Sequence, residues 1–227
     1  MGSAHPRHVV VTGGTGALGS AVVRALRAAG ARCYVTYVDS AELARFDERA
    51  QVELERVDCT NEHEVQQFYA SLPALQASIH LVGGFAMAPV AEIELADFDK
   101  MFRLNTVSSF LCSREAVKRM RPGGGRIVNV AARPVLEPTA GMLAYVTSKS
   151  AVAALTIALA REVVNDGILV NAVLPSTMDT PQNRRAMPNA DFTRWPKVEE
   201  VAETIAFLAG PQNTLTSGAL VPVYGRA

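Results

Sequence analysis

The chain has 227 residues, 49% hydrophobic and 19% charged, which describes a globular protein with a sizeable core. Its 22 basic residues balance 22 acidic ones, so no net field favours nucleic acid or an anionic membrane surface. The three cysteines, Cys33, Cys59 and Cys112, lie far apart with no Cys-x-x-Cys pair; they read as buried thiols in a reducing compartment, not as a disulfide framework or a zinc site.

Residues 1–7 read as a flexible leader, with no basic-then-apolar signal segment. His8–Thr12 is a short β-branched run of the kind a buried strand uses. It leads into Gly13-Gly14-Thr15-Gly16-Ala17-Leu18-Gly19, and Ser20–Ala29 then repeats apolar residues at helical spacing, with Gly30 as the stop. Glycine permits positive φ and close approach of the backbone to a ligand, and the following helix end presents free N–H groups to a phosphate. Arg32–Val38 is a second strand. An acid at its end would bind a ribose 2′-hydroxyl and repel a 2′-phosphate. The usual position falls on Tyr37, but Asp39 lies two residues on and no arginine follows immediately. This leans the cofactor preference to NADH, with capping of a helix as the other role for Asp39.

Gln51–Val57 is a third strand, closing on Asp58-Cys59-Thr60, and Asn61–Leu72 is a helix capped by Asn61. Ser78–Val82 is a fourth strand ending in Gly83-Gly84-Phe85, where two glycines again admit a ligand near the backbone. Leu95–Met120 reads as one long helix with the polar Asn105 inside it. Pro122–Gly125 is a turn, Arg126–Val130 a fifth strand and Leu143–Val164 an alanine-rich helix. Within that helix the apolar run Ala151–Ala160 is too short to span a bilayer. Ile168–Leu174 is a sixth strand. After Pro175 comes Ser176–Pro196, polar and long enough to serve as a substrate lid. Val198–Ala209 and Ala219–Val223 complete the chain.

Strand–helix alternation of this kind predicts a single α/β domain over residues 8–227, with a lid around 176–196. The architecture is a Rossmann-like doubly wound fold: a mostly parallel seven-stranded sheet with helices on both faces. Ligands in such sheets bind beyond the carboxyl ends of the strands. The glycine turn, Asp58, Gly83-Gly84, Ala131-Ala132 and Pro175 all follow strand ends and so converge on one cofactor crevice. Tyr145 and Lys149, four residues apart on a helix, share a face one turn apart. An ammonium beside a phenol lowers the phenol pKa towards working pH, which suits proton transfer.

The glycine turn, the long helix with Asn105, Tyr145-x-x-x-Lys149 and Asn171-Ala172-Val173-Leu174-Pro175 together resemble the short-chain dehydrogenase/reductase family over roughly residues 8–224. The cysteine usage and the lack of a signal segment read as cytoplasmic, and the resemblance implies an NAD(P)H-dependent oxidoreductase assembled as a homodimer or homotetramer. Gly13, Thr15, Leu18 and Gly19, with Gly16 in the same turn, would line the pyrophosphate, and Asp58 and Cys59 would sit by the adenine. Tyr145 would donate the proton, Lys149 would bind the nicotinamide ribose and depress the tyrosine pKa, and Asn105 would hold a water in the relay. Met178 and Thr180, following Pro175, would contact the carboxamide.

Three departures from the family pattern narrow the reading. Ala17 replaces the middle glycine of the turn, Leu81-Val82-Gly83-Gly84 stands for the usual Asn-Asn-Ala-Gly, and Ala132 occupies the position of the catalytic serine. These features, with Pro138–Met142 and Leu174–Trp195, resemble the dihydropteridine reductase branch. The implied activity is reduction of a conjugated C=N or C=O substrate, pterin-like or quinone-like. A general ketone/alcohol dehydrogenase, with Arg133 or a water replacing the serine, and a catalytically impaired dinucleotide-binding sensor are the alternatives.

Overall fold

The computed structural model describes residues 7–121 and 123–226. Of the expected leader only Arg7 is among them, and it opens the first strand; residues 1–6 and Pro122 of the expected turn lie outside the described residues. In chain order the elements are β1 (Arg7–Thr12), α1 (Ala17–Ala28), β2 (Ala31–Tyr37), α2 (Ser40–Arg45), β3 (Glu53–Arg56), α3 (Glu62–Ser71) and β4 (Ala77–His80). Then come α4 (Leu95–Phe102), α5 (Ser108–Met120), β5 (Gly125–Val130), α6 (Leu143–Glu162), β6 (Ile168–Pro175), α7 (Pro181–Ala186), α8 (Val198–Leu208) and β7 (Leu220–Val223).

The strands form one sheet in the order β3-β2-β1-β4-β5-β6-β7, and every neighbouring pair is parallel. The run Val9-Val10-Val11 is wholly buried because both faces of the sheet are covered. Val9 and Val11 point to one face, where they join Val22 and Leu26 of α1 and Val201 and Ile205 of α8. Val10 points to the other, with Val65 and Phe68 of α3 and Leu111 and Met120 of α5. On the α6 side, Val152 and Ala153 meet Ala172 and Leu174 of β6. Each such fully buried aliphatic stabilises the fold by roughly 1.5–3 kcal/mol, so the sheet is a firm platform for the loops at its ends. The strand order turns back at β1, with β2 on one side and β4 on the other, and a crevice opens at that switch point.

The structure departs from the expectations at three places. Two six-residue helices, α2 and α7, occupy segments with no helical assignment. Neither buries a residue, so neither carries the apolar period that marks a longer helix. The expected helix Leu95–Met120 is interrupted by a π-helical turn at Arg103–Val107, which contains Asn105. Ser108 and Ser109 donate their hydroxyls back to the carbonyls of Leu104 and Asn105, at 2.6 and 2.8 Å. Third, the run Ala151–Ala160 belongs to a 20-residue helix that by length and composition could cross a membrane. Its Ser148, Lys149, Val152, Ala153, Thr156 and Ala160 are nonetheless buried.

Candidate active site

The carboxyl ends of β1, β4, β5 and β6 open into a cleft of about 860 Å³. Gly13, Thr15, Gly16, Leu18 and Gly19 form one wall; Gly83, Gly84, Tyr145, Lys149, Pro175, Met178 and Thr180 also line it. Twelve of the sequence-predicted positions thus come together from three strand ends and two helices.

The glycine turn is shaped for close approach. Gly13 has φ +64°, open to glycine with little strain. A Cβ on Gly19 would fall 2.5 Å from the Gly14 Cα and 2.6 Å from the Gly13 carbonyl oxygen, so α1 can start only where it does if residue 19 is glycine. A Cβ on Gly16 would meet nothing nearer than 3.6 Å. No side chain caps α1 and no acid sits in its first turn, which leaves its N–H groups and positive dipole end available to an anion. These features fit the diphosphate of a dinucleotide.

Tyr145 and Lys149 stand on the first two turns of α6. That helix is anchored from below by a buried chain: Asn129 on β5 donates from Nδ2 to Thr156 Oγ1 at 2.9 Å and accepts at Oδ1 from His80 Nδ1 on β4 at 2.8 Å. Burial lowers the His80 pKa to about 4, which keeps the imidazole neutral. The Lys149 ammonium donates to the Val130 carbonyl at 2.8 Å, and burial pulls its pKa down to about 8. The Tyr145 ring is in edge-to-face contact with Phe85, with centroids 5.0 Å apart and planes at 75°. Burial pushes its phenol up to about 12. The expected lowering of the tyrosine by the lysine is therefore reversed: desolvation dominates, and the ammonium is directed at a backbone carbonyl.

Asn105 does not line the cleft. It is completely buried, and its amide is used by the protein: Oδ1 accepts the Gly84 N–H at 3.0 Å, and Nδ2 donates to the Gly84 carbonyl at 3.1 Å and to Ser148 Oγ at 3.0 Å. The side chain braces the Gly83-Gly84 loop against the residue before Lys149. Gly83 makes that possible, since a Cβ there would lie 2.6 Å from Asn105 Oδ1 and 3.2 Å from Lys149 Nζ.

Three expected cofactor contacts also lie off the cleft lining. Asp39 is the N-cap of α2, accepting the Ala41 N–H at 2.7 Å. Asp58 accepts from the Thr60 N–H and hydroxyl at 2.9 and 2.8 Å. Cys59 is buried in the core with its Sγ 3.6 Å from Thr36 Oγ1. Arg133, considered as a substitute for the missing serine, pairs with Glu137 and lies over the Tyr224 ring instead. The cleft wall at this point is Ala131 and Ala132, with no hydroxyl.

Sequence reasoning missed Glu42 and Arg45, Phe85, and Gln182, Asn183 and Arg185, all of which line the cleft. Glu42 and Arg45 sit three apart on α2, and Thr15 Oγ1 donates to the Glu42 carboxylate at 3.3 Å. The Asp39-Ser40 cap was their only sequence signal, because it starts the helix that turns both inward.

A family model described as short chain dehydrogenase matches residues 7–191. The chain is 30% identical over 234 residues to a cyclic-di-GMP-binding biofilm dispersal mediator protein of Escherichia coli strain K12, covering 99% of this chain and 98% of that one. It superposes on a short-chain dehydrogenase/reductase from Serratia marcescens BCRC 10948 with a TM-score of 0.89 at 31% identity, over 97% of this chain and 98% of the other. A blue fluorescent protein from a metagenomic library, solved in complex with NADPH, superposes with a TM-score of 0.85 at 27% identity, over 96% of each chain.

Proposed function

Since the chain belongs to the short-chain dehydrogenase/reductase family of NAD(P)-dependent oxidoreductases, we propose that it reduces a conjugated C=N or C=O substrate, pterin-like or quinone-like. Tyr145 is the proton donor. The observation that carries this reading is that Tyr145 lines a cleft whose serine position is the methyl of Ala132. A simple ketone gains from a second hydroxyl that polarises its oxygen. A delocalised ring carries its own electrophilicity and needs chiefly the proton.

The nicotinamide cofactor supplies the hydride when bound. The chain's own groups do the rest. Tyr145 holds a proton at Oη up to about pH 12. Lys149, fixed by the Val130 carbonyl, keeps a positive charge below about pH 8 and would bind the nicotinamide ribose. The glycine turn and the α1 N-terminus would hold the diphosphate, and Met178 and Thr180, which line the same cleft, would contact the carboxamide. The segment 176–196 acts as the lid, and the whole of 8–227 serves as one catalytic domain.

For the cofactor, the lean to NADH rested on Asp39, which is spent as a helix cap. Arg45 lines that end of the cleft and is suited to a 2′-phosphate, so NADPH is the preferred form. The NADPH complex of the metagenomic relative supports that choice. A homo-oligomer is supported by Phe110, Leu143 and Ile157, which are exposed along α5 and α6.

The second reading is a dinucleotide-binding sensor with impaired catalysis. Ala132 favours it, as does the similarity to the E. coli cyclic-di-GMP-binding protein. Titration with NADPH and NADH, followed by assays with quinonoid dihydropterin, a planar quinone and an aliphatic ketone, separates the readings. Turnover of either planar substrate that falls at least a hundredfold in Tyr145→Phe supports the reductase. Full turnover in Tyr145→Phe refutes it, and cofactor binding without any turnover favours the sensor.

A further inference from the structure

Arg184 and Arg185 are neighbours in sequence with different fates. Arg184 donates from Nε and Nη2 to the two carboxylate oxygens of Asp179, at 2.6 and 2.7 Å. Its guanidinium also lies over the Phe192 ring, 5.0 Å from the centroid. That charge is neutralised and stacked. Arg185 lines the cleft and takes part in no ion pair among the described residues.

The position of Arg185 is preset by a braced turn. Thr180 Oγ1 accepts the Asn183 N–H at 3.1 Å, and Asn183 Nδ2 donates to the Met178 carbonyl at 2.8 Å. Asp179, which holds Arg184, donates its own N–H to the Pro196 carbonyl at 2.9 Å. Helix α7 is thereby tied both to the end of β6 and to the segment before α8. Gln182 and Arg185, three residues apart and so on one face, both line the cleft.

Charge decides what that face can bind. Among the described residues the cationic side chains lining the cleft are Arg45, Lys149 and Arg185, and the one carboxylate is Glu42, a surplus of two positive charges in a chain that is neutral overall. The uncapped N-terminus of α1 adds a positive dipole end on the same cleft. The lining also includes the apolar side chains of Phe85, Ala131, Ala132 and Met178, of which Phe85 touches the Tyr145 ring, and these suit a neutral ring. Arg185 lies about 7.5 Å of helix beyond Thr180. That is roughly the span of the one ribose separating a nicotinamide from its phosphate.

We propose that Arg185 contacts the diphosphate of the bound nicotinamide dinucleotide, across the cleft from the α1 N-terminus. The diphosphate is held between a helix end on one wall and a guanidinium on the other. This rests on the reading of the cleft as an NAD(P)H site. It adds a binding residue that the glycine turn does not supply.

The test is calorimetric titration of the full chain and of Arg185→Gln with NADPH, NADH and ADP-ribose, the last keeping the diphosphate without the nicotinamide. The expected result is a rise in Kd of about tenfold for all three, from loss of one charge-assisted contact. Arg185→Lys recovers part of it, and the salt dependence of binding is reduced in Arg185→Gln. Arg45→Gln gives a different pattern, weakening NADPH and sparing NADH and ADP-ribose. Unchanged Kd values in Arg185→Gln overturn the proposal, as does a rise confined to the KM of the reducible substrate. If the unaltered protein binds none of the three, the cofactor reading itself falls, a result distinct from either.

Discussion

Replacing Asn105 by alanine separates bracing from chemistry at this site. The side chain is fully buried and makes three hydrogen bonds, two to Gly84 and one to Ser148. A hydrogen bond contributes about 1 kcal/mol net, and a buried partner left unpaired costs about 1–3 kcal/mol. Asn105→Ala orphans the Gly84 N–H and carbonyl together, so a loss of roughly 2–4 kcal/mol is expected. For a chain of this length that lowers Tm by roughly 5–15 °C. The loop carrying Gly83 then loosens beside Lys149, and a displacement on the order of 1 Å at a reacting centre costs about a hundredfold in rate. Thermal unfolding followed by circular dichroism, with kcat and the NADPH Kd measured on the same samples below the transition, reads both effects. The expected outcome is a lower Tm together with reduced kcat. An unchanged Tm with kcat abolished would refute the bracing argument and return Asn105 to a direct part in proton transfer.

Gly19→Ala should destabilise the chain by about 1–3 kcal/mol, because the new methyl meets Gly13 and Gly14 backbone at 2.5–2.6 Å and no flexible side chain can give way. Gly16→Ala, with 3.6 Å of clearance, should change Tm little; equal Tm values for the two variants would contradict the geometry. The folded-state pKa of Lys149, about 8, lies below its ordinary 10.5. Between those values the unfolded chain binds a proton that the folded chain does not, so stability rises with pH across that window, by on the order of 3 kcal/mol from this group. Urea midpoints from pH 8 to 10 should show that rise and Lys149→Met should abolish it; an identical slope in the variant would remove Lys149 as its source. Reductase activity should instead decline above about pH 8 as the ammonium loses its charge, and a flat profile to pH 10 would show that the charge is not needed.

The sheet and the glycine turn were legible because their signals are local. The β-branched, wholly apolar Val9-Val10-Val11 run, leading into glycines, suits a strand covered on both faces, and the strand–glycine–helix order at 8–29 has few other physical uses. The pairing of Tyr145 with Lys149 follows from helical periodicity alone, and both line the cleft. Asp39 was ambiguous in sequence for a physical reason: an acid at the end of a strand suits a ribose hydroxyl and a helix cap equally. Only the presence of α2, a helix too short to show a period, settled it as the cap.

What sequence alone determined was therefore the parallel α/β architecture, the crevice at its strand ends and the residues of its glycine wall, since each depends on neighbours within one or two turns of chain. The tertiary structure decided the electrostatics. Whether Tyr145 is lowered by Lys149 or raised by burial depends on the Phe85 ring and on the Val130 carbonyl, residues 60 and 15 positions away from the phenol. Which of two adjacent arginines faces the cleft depends on Asp179 and Phe192 claiming the other. Burial and charge pairing are sums over everything that packs around a group, and only the folded chain brings those groups together.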